Sequence, residues 1–354
     1  MYISSFAFLI NLHFLIFLSY INHFLHHIYR HLHFLYTLKI SMDQSQLSRY
    51  LPLTCTGHSR PVTHLSFSNI YENGSYLMIS ACKDGAPMLR DGVTGDWIGT
   101  FTGHKGAVWS ARFSADSELA ITASADFTAK IWDTNSGSII ASYGHNHIVR
   151  TAAFVPSYSQ TQFCVTAGNE KKIRIWDLNR EESAPAVMEW VGAEGTIKSA
   201  LWVEQSVIIT AGDDKCMKWW DLRTPDKMID SVTLDGPISQ MEERKGSVTV
   251  AAGAAVYTFD ALDRTPVKKQ ALDYNASTVS IHPSRKKFAT GSTNDTWVRI
   301  HDFSTGAVLD TLKGHHGPVH SISYSPDGQL CASAGEDGTI RLWKSEIGPY
   351  GLWK

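Results

Sequence analysis

The chain has 354 residues, 43% of them apolar, 11% aromatic and 19% charged, with a formal net charge of −2. That balance excludes an acidic disordered tail and a basic nucleic-acid cleft, and the length suits one large β domain or two to three small ones. Five scattered cysteines (Cys55, Cys82, Cys164, Cys216, Cys331) include no CxxC pair, which excludes a zinc ribbon or a dense disulfide scaffold and fits free thiols in a reducing compartment.

The average conceals a seam. Residues 1–41 hold six of the 16 histidines and six of the 15 phenylalanines, yet no Asp, Glu, Gly, Pro or Trp. The remaining residues carry 30 basic and 34 acidic side chains, net −4, and all 11 tryptophans. Residues 6–18, FAFLINLHFLIFL, are apolar enough for a membrane anchor. A secretory signal fits less well, because Arg30 follows the apolar run and no small-residue cleavage site closes it. Phe, Leu, Ile, Ser, Tyr and His are also what T- and C-rich codons specify. The leader therefore reads foremost as translated untranslated sequence, with Met42 as the ordinary start; an anchor and a signal peptide are the alternatives. His23, His26, His27, His31 and His33 could chelate a metal, but the segment offers no fixed geometry. Residues 42–50 read as a polar linker.

From residue 51 to 347 the sequence repeats. KIWD ends at Asp133, RIWD at Asp177, KWWD at Asp221 and RIHD at Asp302; weaker versions end at Asp91, Asp260 and Lys344. Successive spacings are 42, 44, 44, 39, 42 and 42 residues. About thirty residues before each lies a second signature, Gly57-His58, Gly103-His104, Gly144-His145 and Gly314-His315, with Gly192-Ala193 in the fourth unit. Between them run alternating segments such as VTHLSF, AVWSARF and VHSISY, punctuated by Asp-Gly turns, as half-buried antiparallel strands require. The pattern resembles the WD40 family and implies an all-β, seven-bladed propeller. Leu53-Thr54-Cys55 is expected to supply the last blade's fourth strand, and 348–354 to form a tail.

In that family a GH histidine, a Ser or Thr on the second strand, a turn Asp and the WD tryptophan share a buried hydrogen-bond network. The second unit offers His104, Ser124, Asp126 and Trp132 for it. Elsewhere the set is partial: Glu170 stands for the turn Asp, Ala193 for the histidine and His301 for the tryptophan, and the fifth unit (237–260) keeps almost none. These His and Asp residues read as structural, and HHGPVH (315–320) as a GH motif rather than a metal site. No nucleophile elbow, P-loop, HExxH or dinucleotide fingerprint occurs. No ionisable set is expected to converge on the central channel, so the chain reads as a binding protein without cofactor, metal or catalysis. Lys171-Lys172, Lys268-Lys269 and Arg285-Lys286-Lys287 read as solvated turns rather than a nucleic-acid groove. The sequons at Asn73, Asn275 and Asn294 read as accidental.

The residue after each GHxxxV valine is expected on the top face: Thr63, Trp109, Arg150, Lys198, Ser239 and His320, with the sixth position unassigned. Lys83 joins them from the first unit's turn. An exposed Trp109 beside Arg150 and Lys198 would suit an acidic or phosphorylated partner segment; the alternative is that Trp109 packs between blades.

Finer motifs narrow the resemblance. LMISACKDGAPMLRDGVTGDWIGTFTGHKGAVW (77–109), ADFTAKIWD (125–133), PLTCTGH (52–58) and YGLWK (350–354) are similar to the serine/threonine-kinase receptor-associated protein family. That resemblance implies a cytoplasmic and nuclear scaffold in SMN-complex assembly of spliceosomal small nuclear ribonucleoproteins, with Gemin-type partners, and an adaptor in kinase-receptor signalling. Direct nucleic-acid binding is not expected, and membrane contact only if 1–41 is real. GHKGAVW also resembles subunit i of translation initiation factor three, which would make the chain a translation-complex subunit.

Overall fold

The computed structural model describes residues 51–156, 162–204, 206–224, 228–261 and 263–346. The leader with its histidine cluster, the linker 42–50 and the tail 348–354 lie outside the described residues. Among those described, all regular structure is strand: 28 strands in seven four-stranded antiparallel sheets. Blades 1 to 6 each pair four consecutive strands in chain order, over residues 62–100, 108–144, 149–191, 197–233, 238–271 and 276–313. Blade 7 takes three strands from 319–344 and its fourth from Leu53–Cys55, which pairs with Ile340–Lys344 through Leu53–Leu342, Thr54–Arg341 and Cys55–Ile340. The N-terminal strand therefore covers an edge that would otherwise be left open on the last blade.

The first strand of each blade is innermost and touches the first strand of the next, with blade 7 returning to blade 1. Second strands such as LAITAS and FCVTAG are buried along nearly their whole length, because a neighbouring blade covers each of their faces. Outer strands such as WIGT are half exposed. In most blades the turn between second and third strands holds a left-handed residue. Gly85 and Gly338 supply it at φ 82° and 72°, whereas Phe127, Lys171 and Lys215 hold the same conformation at 62–68°.

The polar network in blade 2 corrects one expectation. His104 bridges Asp126 (Nδ1 to Oδ2, 2.7 Å) and Thr122 (Nε2 to Oγ1, 2.7 Å), and Trp132 Nε1 donates to the same Thr122 oxygen at 2.8 Å. Ser124 is outside this chain; its hydroxyl meets the carbonyls of Gly106 and Ala107 and accepts from Asp126 N. Thr122 and Ser124 share a face of their strand, so alternation does not choose between them. Register does. Trp132 lies opposite Ala120, which makes Thr122 its diagonal neighbour and puts Ser124 about 7 Å further along.

Other blades vary this device. Blade 7 repeats it with His315, Asp337, Ser333 and Trp343. In blade 3 the Arg174 guanidinium donates to His145 Nδ1 at 2.7 Å and binds Glu170, so His145 carries its proton on Nε2 and donates to Thr166. In blade 6 the Tyr274 hydroxyl takes the histidine's place, meeting Thr290 at 2.5 Å and His301 at 2.9 Å. Blade 5 has no such network among the described residues; its sheet rests on an apolar cluster including Val248, Val250 and Phe259, packed against Trp219 of blade 4. The basic pairs also need correction. Lys268-Lys269 lies within the outer strand Pro266–Ala271, not in a turn, with Lys269 paired to Asp235.

Candidate partner-binding face

All seven inner strands are bulged at the same point. Pairing with the second strand skips one residue after Val62, Val108, Val149, Ile197, Ile238, Ala276 and Val319. The skipped residues are Thr63, Trp109, Arg150, Lys198, Ser239, Ser277 and His320. A bulge releases a residue from the ladder and re-aims its side chain. All seven, including Ser277 at the position left unassigned from sequence, line one cavity of about 260 Å³ together with Lys83. The structure thus brings Trp109, Arg150, Lys198, His320 and Lys83 around a common mouth.

Trp109 is half-buried rather than exposed. Its ring lies beneath the Arg150 guanidinium at 3.9 Å, with Lys83 Nζ at 6.0 Å on blade 1's side. Arg150 Nε donates to Asn169 Oδ1 at 3.2 Å. Sequence reading missed two acids beside these cations. Lys198 pairs with Asp213 at 2.5 Å, and Glu336 receives both His320 at 2.5 Å and Lys83 at 3.5 Å. Lys83, Asn169, Asp213 and Glu336 all immediately precede a turn acid, so one position per unit could have revealed this second ring of residues. The cavity itself is lined by Lys83, Arg112, Arg150, Lys198, His64 and His320 but by no carboxylate.

A second cavity of about 410 Å³ shares His64, Arg112 and Gln240 with the first, so these three form the waist of the channel. Contrary to the expectation from sequence, an ionisable set converges here: His64, Arg112, Glu242 and Arg244. They come from inner strands of blades 1, 2 and 5, so no local spacing announces them. Burial and the neighbouring Arg112 push His64 down to about 3, leaving it neutral. Its Nδ1 therefore donates to the Ala111 carbonyl at 3.1 Å. Burial raises the Glu242 carboxyl, whose oxygens accept from Ser280, Ile281 N and Arg244.

One cluster has metal-like composition: ligand atoms of His58, Cys82 and Asp84 lie within 4.8 Å of one another. It does not fit a metal. Both His58 nitrogens are engaged, with Ser80 at 2.8 Å and Asp84 at 3.0 Å, and the Cys82 thiol donates to the Arg60 carbonyl. Burial moves that thiol up to about 12, far from the thiolate a metal needs. All five cysteines are free thiols.

Comparison with known proteins agrees with this architecture. The family described as "WD domain, G-beta repeat" matches residues 95–133, 137–177 and 306–344. The serine-threonine kinase receptor-associated protein of Dictyostelium discoideum is 47% identical over 298 residues, 83% of this chain and 98% of that protein. Its Homo sapiens counterpart is 43% identical over 309 residues, 86% of each. The chain belongs to the serine-threonine kinase receptor-associated protein family. Eukaryotic translation initiation factor 3 subunit I of Drosophila willistoni is more distant, 30% identical over 310 residues, 81% of this chain and 95% of that protein.

Proposed function

We propose that this protein is a non-catalytic scaffold whose bulged face captures an acidic or phosphorylated segment of its partners. The observation that carries this is the composition of the top cavity: four cations and a stacked tryptophan, with no carboxylate lining it. Desolvated Trp and Arg side chains dominate interface energetics, and charge-assisted bonds favour anionic groups. The convergent channel residues do not favour an enzyme, because Glu242 is held by three donors and His64 by a carbonyl.

Family membership supports the finer reading. The partners are components of an SMN-type complex that assembles spliceosomal small nuclear ribonucleoproteins, met in cytoplasm and nucleus, with kinase receptors as a second class. Identity of 43–47% to receptor-associated proteins, against about 30% to the initiation-factor subunit, favours this over a translation-complex role. Purification of the tagged protein with mass spectrometry tests it. Gemin-type proteins should co-purify; recovery of initiation factor three with 43S particles would assign the chain to translation instead.

A further inference from the structure

The inner strand of blade 2 carries hydrogen-bond donors that the fold does not use. Ser110 is 3% exposed, yet its Oγ has no hydrogen-bond partner, and buried Trp109 Nε1 is likewise unpartnered. Native proteins leave few buried polar atoms unsatisfied, so two in consecutive residues on one cavity wall are donors open to a ligand or to water. Two residues along, on the same face as Ser110, Arg112 reaches the waist and makes a single hydrogen bond there, to the Ala200 carbonyl at 3.4 Å. Most of its five N–H donors remain for another acceptor. Gln240 completes the waist; its Oε1 accepts from Thr278, which leaves its amide N–H groups as donors.

We infer that the channel waist is an oxyanion site, with Arg112, Ser110, Trp109 and Gln240 seating a phosphate group. This deepens the partner-capture reading and rests on it. A tetrahedral phosphate accepts from several directions, matching donors on blades 2 and 5, whereas a carboxylate offers two oxygens in one plane. No carboxylate lines the upper cavity to oppose it. Glu242, the acid on the lower side, accepts from Ser280, Ile281 N and Arg244 and also acts on Arg112 through space, so a bound phosphate must compete with it for that cation. The phosphate comes either from a phosphorylated side chain of the partner segment or from free phosphate, since both present the same group.

The full chain is titrated at constant ionic strength with inorganic phosphate and, separately, with a phosphoserine peptide otherwise uncharged, following heat of binding and phosphorus NMR line width. Both probes should bind. Arg112→Gln should weaken each at least about tenfold and Ser110→Ala a few-fold, without lowering the melting temperature in phosphate-free buffer. Binding of both assigns the site to a phosphorylated partner; binding of inorganic phosphate alone assigns it to the free anion. No binding by the parent chain at millimolar probe, or affinities unchanged in both variants, overturns the inference. Should Arg112→Gln fail to fold, Ser110→Ala decides by itself, with unchanged affinity again overturning it. Partner capture by the Trp109 and Arg150 surface is measured in parallel. If capture depends on that surface while phosphate affinity ignores Ser110 and Arg112, the scaffold reading stands and the oxyanion site falls.

Discussion

The Arg150 guanidinium lies 3.9 Å above the centre of the Trp109 ring, although the two residues sit on different blades. Each is the bulged residue of its inner strand. The stack therefore arises from two independent backbone irregularities that aim neighbouring side chains into one mouth. It holds an aromatic and a cation together at the mouth of one cavity.

Trp109→Ala combined with Arg150→Glu should leave the ring folded, because neither side chain belongs to a blade's polar network. Partner capture should fall by at least about thirtyfold, the scale of an interface hot spot of about 2 kcal/mol. Circular dichroism checks the fold and a pull-down of the tagged protein checks capture; undiminished capture would remove this face from consideration.

The blade 2 network separates two hydroxyls that look alike in the sequence. Thr122→Val should strand Trp132 Nε1 and one His104 nitrogen in the core and cost about 2–3 kcal/mol. Ser124→Ala removes only a local turn contact and should cost about 1 kcal/mol. Urea midpoints of the two variants give the comparison; equal losses would contradict the assignment.

Acid should destabilise the protein in two stages. Burial, reinforced by Arg112 and Arg174 respectively, holds His64 down to about 3 and His145 to about 4, below the unfolded value of about 6.5. The unfolded chain thus binds these protons first, so stability is fully present above pH about 6.5 and declines as pH falls toward 4 and then 3. Burial tends to raise Asp337, but bonds from His316 N, Thr339 N and Thr339 Oγ1, with His315 alongside, outweigh it and hold the acid at about 2. Its contribution, present above about pH 4, is lost as pH falls toward 2. Urea midpoints across pH 3–8 should drop first below 6.5. His145→Gln should flatten that first decline by on the order of 1–3 kcal/mol.

Closure of blade 7 is testable by truncation. A chain starting at residue 57 lacks Leu53–Cys55 and leaves Ile340–Lys344 as an unpaired edge. It should melt several degrees lower and associate in a concentration-dependent way, as uncovered edges do. Light scattering against concentration reads this out, and a monomeric, equally stable truncation would refute it.

Much of the ring was legible because its signals are local. The phase of Asp133, Asp177, Asp221 and Asp302 marks the blades, and each GH valine marks the residue that follows it. Alternation and Asp-Gly turns then place the strands, since side-chain period and turn chemistry depend on adjacent residues alone. The choice of Thr122 over Ser124 was different, because it rests on which residue of another strand lies opposite Trp132.

By itself, then, the sequence determined the fold class, the blade count, the N-terminal closure and most of the ring that meets at the mouth, all of them periodic or nearest-neighbour properties. Only the tertiary structure decided how that ring is charged and what lies beneath it. Glu336 is more than two hundred residues from Lys83 yet shares its charge, and His64, Arg112 and Gln240 reach one waist from three blades. Electrostatics and desolvation act through space, so the chemistry of a channel built from seven separate strands is fixed only when the ring closes.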